Sequence, residues 1–375
     1  MAEMAAPGQE RLVSLDVYRG LAVAGMILVM NAGNWSTVYW PLQHAAWNGW
    51  TPTDLIFPSF LFIVGVSMTF SFASRLAKGS SRRMLAAHVL RRSAILCALG
   101  LFLNAVPTFD FATLRIPGVL QRIALCYLFG GLLYLAAGRR IAVIAVVAVA
   151  LLFGYWAMLR FVPVPGFGAG RLDSLGNLDA CVDRAIFGVR HLWPYGLTPG
   201  HGVTYDPEGL LSTIPAAVDL LFGILAGEWL RSESTGLRET TGLAIAGAVL
   251  LLAGWFLNPV FPINKRIWTS SFALFSGGFS LLALALLIWI VDLRHVRWWT
   301  PPALVFGTNA IFAYALAMVL GPVLGLAQAP HRVYSLLFPR LLNSYNASLA
   351  WAVLFVLLIL ALMWPLYRKR WFVRI

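Results

Sequence analysis

DLIFPSFLFIVGVSMTFSFASR, residues 54–75, places twenty uncharged residues between Asp54 and Arg75. At about 1.5 Å of rise per residue such a run makes a helix of about 30 Å, the thickness of a bilayer's hydrocarbon core. Its neighbours repeat the pattern: further apolar stretches run at 13–33, 89–107, 117–137, 141–162, 210–230, 241–258, 269–291, 303–325 and 347–367. Together they predict an all-α polytopic membrane protein, a bundle of about ten transmembrane helices. The composition agrees, since 60% of the 375 residues are hydrophobic and 11% charged, with a mean hydropathy of +0.78. These values exclude most soluble enzyme folds.

An even number of crossings puts both ends of the chain on one side, and the loop charges choose which. Seventeen basic residues fall on the side of the termini: Arg11, Arg75, Lys78, Arg82, Arg83, Arg91, Arg92, Arg139, Arg140, Arg231, Arg238, Arg294, Arg297 and the stretch from Arg368 to Arg374. Nine fall on the other (Arg115, Arg160, Arg171, Arg184, Arg190, Lys265, Arg266, Arg332 and Arg340), so both termini are expected in the cytosol. The net charge of +13 is thereby accounted for without nucleic acid, for which there is no basic domain and no RNA-binding motif. Residues 1–10 read as retained, because Glu3, Glu10, Asp16 and Arg19 do not fit a cleaved signal peptide. Cys97, Cys126 and Cys181 have neither disulfide nor metal spacing, and no metal is expected. The loop at 163–209, dense in Pro and Gly, reads as an outer cap without a core of its own. The chain is thus a single transmembrane domain, 1–375.

An ionisable side chain at mid-bilayer costs at least about 2.5 kcal/mol, so the polar residues within spans are informative. Asp16 and Arg19 stand three residues apart and can neutralise each other on one face of the first span, with a plain interfacial anchor as the alternative. Arg122 lies inside the fourth span, seven residues after Arg115. Asp219 lies near the middle of the sixth with Glu228 towards its end, and Asn309 follows Gly307 and Thr308 in the ninth. The first outer loop is the densest polar and aromatic segment, with Asn31, Asn34, Trp35, Gln43, His44, Trp47, Asn48, Trp50 and Asp54. Trp and Tyr alone would make an interfacial belt. A histidine among amides beside an acid is not needed for a belt, and imidazole is suited to taking and returning a proton near neutral pH.

Several stretches resemble, in order, motifs of the heparan-α-glucosaminide N-acetyltransferase family: RLVSLDVYRGLAVAGMILVMN (11–31), LQHAAWNGWTPTDLIFPSFLFIVGVS (42–67), RIPGVLQRIALCYL (115–128), YDPEGLLSTIPA (205–216), INKRIWTSSF (263–272) and FGTNAIFAY (306–314). The resemblance implies a transmembrane acyltransferase, with its catalytic motifs in about 11–130, that takes acetyl from cytosolic acetyl-CoA and delivers it to an amino sugar or glycan on the far side. It places the family's catalytic histidine on His44, in HAAWNG (44–49), and its helix-end asparagine on Asn31. It also carries over a homodimer. The animal members' N-terminal luminal domain is not expected here, which with the short outer loops points to a bacterial inner (plasma) membrane.

Acyl transfer to an amine or hydroxyl fits these residues. His44 can deprotonate the acceptor or take the acetyl group itself, and Asn31 or Asn48 can donate to the developing oxyanion. Arg19, with the Arg82, Arg83, Arg91 and Arg92 loop, can meet the coenzyme's phosphates. Asp54, Arg122, Asp219 and Asn309 complete the candidate binding residues. His88 and His295, in basic loops, are expected to be silent. Because an outer histidine and a cytosolic donor are separated by about 30 Å of hydrocarbon, residues 31–54 should dip into the bundle and meet a polar tunnel lined by Arg122 and Asp219. A carrier of a sugar or amino sugar is the alternative that the buried Asp219 allows.

Overall fold

The structure, a computed structural model, describes residues 12–138, 140–232, 236–326, 334 and 342–373. Residues 1–10, Arg11, Arg139, His331, Arg332, Arg340 and Arg374 lie outside the described residues. In chain order the helices are α1 (Val13–Met30), α2 (Ile56–Ala77), α3 (Arg82–Ala105), α4 (Val119–Ala137), α5 (Ile141–Phe161), α6 (Leu178–Phe187), α7 (Thr213–Ser232), α8 (Leu237–Leu257), α9 (Ser270–Leu287), α10 (Pro301–Thr308), α11 (Ala310–Leu326) and α12 (Ser344–Arg368). Nine helices among the described residues are long and apolar enough to cross a bilayer, and α10 and α11 pass the same test only when taken together as one bent pair. This is the all-α membrane bundle expected. The ninth expected span differs in being broken, with an 86° bend between α10 and α11 at Asn309.

Burial orders the bundle. In α2 and α7, 72% of the apolar window is enclosed by protein, against 17% in α5 and 22% in α8 and α12, so α2 and α7 form the centre and the others the rim. The centre is tight because it is lined with small residues. A Cβ on Gly223 of α7 would stand 1.9 Å from the Phe62 carbonyl oxygen of α2. Likewise a Cβ on Gly307 would stand 1.9 Å from the Asp16 carbonyl oxygen, so α10 packs directly on α1. The backbone amides of Val13 and Ser14 donate to Asp292, at 3.1 and 3.2 Å, which sets a carboxylate at the positive end of α1.

The bundle has two ends. At one, residues 31–55, 106–118, 162–212 and 258–269 gather, joined by bonds such as Gly49 N–H to the Ile263 carbonyl (2.7 Å) and Ile116 N–H to the His191 carbonyl (2.9 Å). At the other lie the basic starts and ends of α1, α2, α3, α4 and α12. The segment 163–209 does sit as a cap, built from α6 and a hairpin of β1 (Leu197–Thr198) and β2 (Gly202–Val203). Its apolar contacts are borrowed from the bundle: Leu172 and Leu178 pack on Tyr155, Leu159, Phe261 and Ile267.

Candidate active site

His44 lies just after a short turn at Trp40–Leu42, within the loop that joins α1 to α2. Its Nδ1 is 2.6 Å from Asp54 Oδ1. Asp54 is only 1% exposed, and its Oδ2 accepts from the backbone amides of Ala45 and Thr51, each at 3.0 Å, and from the Thr51 hydroxyl at 3.1 Å. Thr51 and Asp54 together cap the turn Pro52–Leu55 that opens α2. One carboxylate therefore fixes the loop, the start of the central helix and the histidine ring. With Asp54 ionised, Nδ1 carries the proton and Nε2 keeps its lone pair, the arrangement of a base oriented by an acid. Nε2 has no hydrogen-bond partner among the described residues, and the His44 side chain is 38% exposed. The Lys265 charge and burial hold the imidazole below its ordinary value against the opposing pull of Asp54, so it is neutral and basic near pH 7.

The loop is stitched to two others. Trp47 donates from Nε1 to the Leu172 carbonyl at 2.8 Å, and its ring meets the edge of Tyr205, so the cap holds one side. Asn264 donates its amide to Asn48 Oδ1 at 3.0 Å, beside the Gly49–Ile263 backbone bond, so the α8–α9 loop holds the other. That second loop carries Lys265, buried and acting electrostatically on both His44 and Asp54, which in the sequence is one basic loop residue among many. Asn31, by contrast, turns back on its own helix: its Nδ2 donates to the Ile27 carbonyl at 2.8 Å, and no hydrogen bond joins it to His44 or Asp54.

Arg122 and Asp219 are buried, at 1% and 0% exposure, and neither is among the residues that line the cavity at the opposite end of the bundle. They converge on Trp268. Asp219 Oδ2 accepts from the Trp268 indole at 2.8 Å and Oδ1 from the Ser276 hydroxyl at 3.0 Å, while the Arg122 guanidinium lies over the Trp268 ring at 5.0 Å. Arg122 Nη2 also donates to the Gly209 carbonyl and the Ser212 hydroxyl, at 3.0 and 2.6 Å. Through Trp268 the two charges tie α4, α7 and the start of α9, although Arg122 Nε and Nη1 are buried without a hydrogen-bond partner among the described residues. Beside it, burial pushes Asp183 and Asp179 above the carboxylate range. Burial works against the Glu208 charge too, yet Arg115 and Lys265 hold it down at about 2, Arg115 reaching both Asp206 and Glu208 at 2.5 Å.

The opposite end of the bundle contains a cavity of about 510 Å³. Arg19, Arg75, His88, Arg91 and Arg92 line it, with Asn309 and Val373 beside the α10–α11 break. Arg19 donates to Asp16, to the Gly307 carbonyl and to Ser67, at 3.0, 3.1 and 2.6 Å. Asn309 is engaged by the chain after α12: its Nδ2 donates to the Trp371 carbonyl at 3.0 Å and its Oδ1 accepts from Val373 N–H at 2.8 Å. The Arg82–Arg92 stretch is no loop but the first turns of α3, whose periodicity brings His88, Arg91 and Arg92 to one face and leaves Arg82 and Arg83 outside the cavity wall. His88, expected to be silent, stands in this cavity wall.

Along α2 the cavity touches Arg75, Ser71, Ser67, Val64 and Phe60, one face of the helix at nearly every fourth residue. The fifteen residues from Arg75 to Phe60 span about 22 Å, and six more, about 9 Å, reach Asp54. The cavity thus follows α2 for most of its length from the basic end. It stops short of the dyad, and His44 is not part of its wall.

Residues 11–257 match the family described as heparan-alpha-glucosaminide N-acetyltransferase, catalytic. The chain is 30% identical to the heparan-alpha-glucosaminide N-acetyltransferase of Homo sapiens, over 81% of this chain and 52% of that protein. It is 30% identical to that of Mus musculus, over 81% and 53%. The chain spans about half the length of these curated relatives. The matched family region holds the dyad and most of the residues that line the cavity, but ends before Lys265 and Asn309.

Proposed function

The chain belongs to the heparan-alpha-glucosaminide N-acetyltransferase family, and on that premise we propose that it transfers acetyl from cytosolic acetyl-CoA to an amino sugar or sugar hydroxyl on the opposite side of the membrane. The observation that carries this reading is the division of labour along α2: the His44–Asp54 dyad at one end, and an arginine-lined cavity on the same helix at the other.

Acetyl-CoA is anionic, and Arg19, Arg75, Arg91 and Arg92 supply forked donors for its phosphates. Its acyl end then follows the α2 face past Ser71, Ser67 and Val64. Side chains at the tip, Phe60 first, move aside to admit the thioester to the dyad. There the acceptor amine attacks the thioester carbonyl while His44 Nε2 takes its proton, and the coenzyme thiolate leaves and recovers that proton. Alternatively Nε2 attacks first and the C–S bond breaks, expelling the thiolate and leaving an acetyl-imidazolium, from which the acceptor amine takes the acetyl group, its proton passing to the thiolate and Nε2 regaining its lone pair. Both routes use the same exposed nitrogen, and Asp54 steadies the imidazolium or the acyl-imidazole through Nδ1. Asn48 keeps its amide hydrogens for the acceptor, since only its oxygen is engaged.

The charge asymmetry of seventeen to nine supports cytosolic termini, with the dyad and cap at the outer face of a bacterial inner membrane. A homodimer comes only from the resemblance and is read by sedimentation in detergent. The carrier reading rested on Asp219, whose two oxygens are taken by Trp268 and Ser276. The test is a mass-spectrometric screen of purified protein with acetyl-CoA against amino sugars. The expected result is an acetylated sugar whose formation is lost in His44→Ala; solute flux without acetyl-CoA, and no acetylated product, would favour the carrier.

A further inference from the structure

Among the charged groups at the His44 end, Lys265 is set apart by what it lacks. Its side chain is buried, with the residue 7% exposed, and it makes no hydrogen bond and no ion pair among the described residues. Burial lowers its hold on the proton against the pull of Glu208 and Asp54, and an ammonium on so buried a side chain is costly without a partner. The acids that act on it are engaged elsewhere: Glu208 accepts from Arg115, and Asp54 holds His44, Ala45 and Thr51. The next residue, Arg266, is placed differently, its guanidinium over the Trp193 ring of the cap at 5.5 Å.

The loop around Lys265 is rigid. Ile267 N–H donates to Asn264 Oδ1 at 3.1 Å and Thr269 N–H to the Asn264 carbonyl at 3.0 Å, while Trp268 is fully buried below, fixed by Asp219. The same loop is bonded to Asn48 and Gly49, four and five residues from His44. Lys265 thus acts electrostatically, from a loop bonded to that of His44, on a base with its lone pair open. Acyl transfer needs this combination, because the attack that delivers a proton to the base also drives the carbonyl π electrons onto oxygen.

We infer that Lys265 is the oxyanion donor of the site: its ammonium binds the acetyl carbonyl oxygen of the thioester beside His44 Nε2. The inference rests on the acetyl transfer proposed above. As the acceptor nitrogen bonds to the carbonyl carbon, the oxygen becomes an oxyanion paired with Lys265 and the amine proton passes to His44. When the carbonyl re-forms, the C–S bond breaks and the thiolate takes the proton, so Lys265 gains and loses none. The same cation disfavours a proton on His44, which Asp54, Lys265 and Arg266 all face electrostatically.

The experiment measures CoA release from acetyl-CoA, with glucosamine as acceptor, by the purified full chain in detergent. Lys265→Met should lower kcat roughly 100- to 1,000-fold, with CoA binding unchanged. Lys265→Arg should recover part of the loss. The acid limb of the pH–rate profile should move to higher pH in Lys265→Met, because neutral His44 is the active form and the cation that repels its proton is gone. Lys265→Gln, close in length, gives the same comparison if the Met variant does not fold. A kcat within a few fold of wild type overturns the inference, and so does an equal loss in all three variants with the acid limb unmoved, which would mean packing alone. A wild-type chain that releases no CoA overturns instead the acetyl-transfer reading.

Discussion

Two clusters of buried charge lie within one loop of each other and behave differently. Around Trp268, Asp219 has both oxygens bonded, and Arg122 is stacked on the indole and bonded through Nη2 to Gly209 and Ser212, with its Nε and Nη1 buried and unbonded among the described residues. Around His44, Asp54 is fully bonded while the His44 Nε2 and the Lys265 ammonium are left open. The costliest charge by depth, Asp219, is the one whose bonding is complete. In a membrane protein, then, a buried charge is not by itself the sign of chemistry: the His44 cluster is set apart by an open ring nitrogen on a side chain that is 38% exposed.

The largest effect that tests this contrast is at the open cluster. His44→Ala should lose transfer by roughly a hundred- to ten-thousand-fold as a general base, or more as a covalent carrier, with the thermal midpoint near wild type. Turnover near wild type would remove the dyad from the chemistry. At the closed cluster the effect should fall on folding. Asp219→Leu strands the Trp268 indole and the Ser276 hydroxyl, each worth about 1–3 kcal/mol when left unsatisfied. The yield and melting temperature in detergent should drop, while the rate per folded molecule stays near wild type; a stable variant with a collapsed rate would put Asp219 in the reaction. The smallest effect is expected at Asn31. Its amide caps α1 through Ile27, so Asn31→Ala should cost little in kcat. A loss of roughly a hundred- to a thousand-fold would instead make Asn31 the oxyanion donor.

Much of this was legible in the chain. Nine long apolar runs became nine helices because a bilayer leaves no other way to satisfy the backbone. The tenth was misread in form: nothing in FGTNAIFAY tells that Gly307 packs on the Asp16 carbonyl or that Trp371 and Val373 hold Asn309 at a break. His44 was legible as an imidazole beside an acid in a polar loop, and Asp54 as a candidate, but their pairing across ten residues needed the turn at Thr51. Arg122 and Asp219 were legible as buried, but their partners Gly209, Ser212, Trp268 and Ser276 were not, because these come from other elements. Lys265 was hidden among loop charges, since only burial separates it from them.

The central claim is that acetyl enters at the arginine end of α2 and leaves at the His44 end. The measurement that tests it most directly uses sealed proteoliposomes of known orientation, with labelled acetyl-CoA confined to the side of Arg19, Arg75, Arg91 and Arg92 and an impermeant amino sugar confined to the side of His44. The expected result is labelled acetyl sugar on the His44 side, lost when the two solutions are exchanged. Product that forms only when donor and acceptor share one side would contradict it.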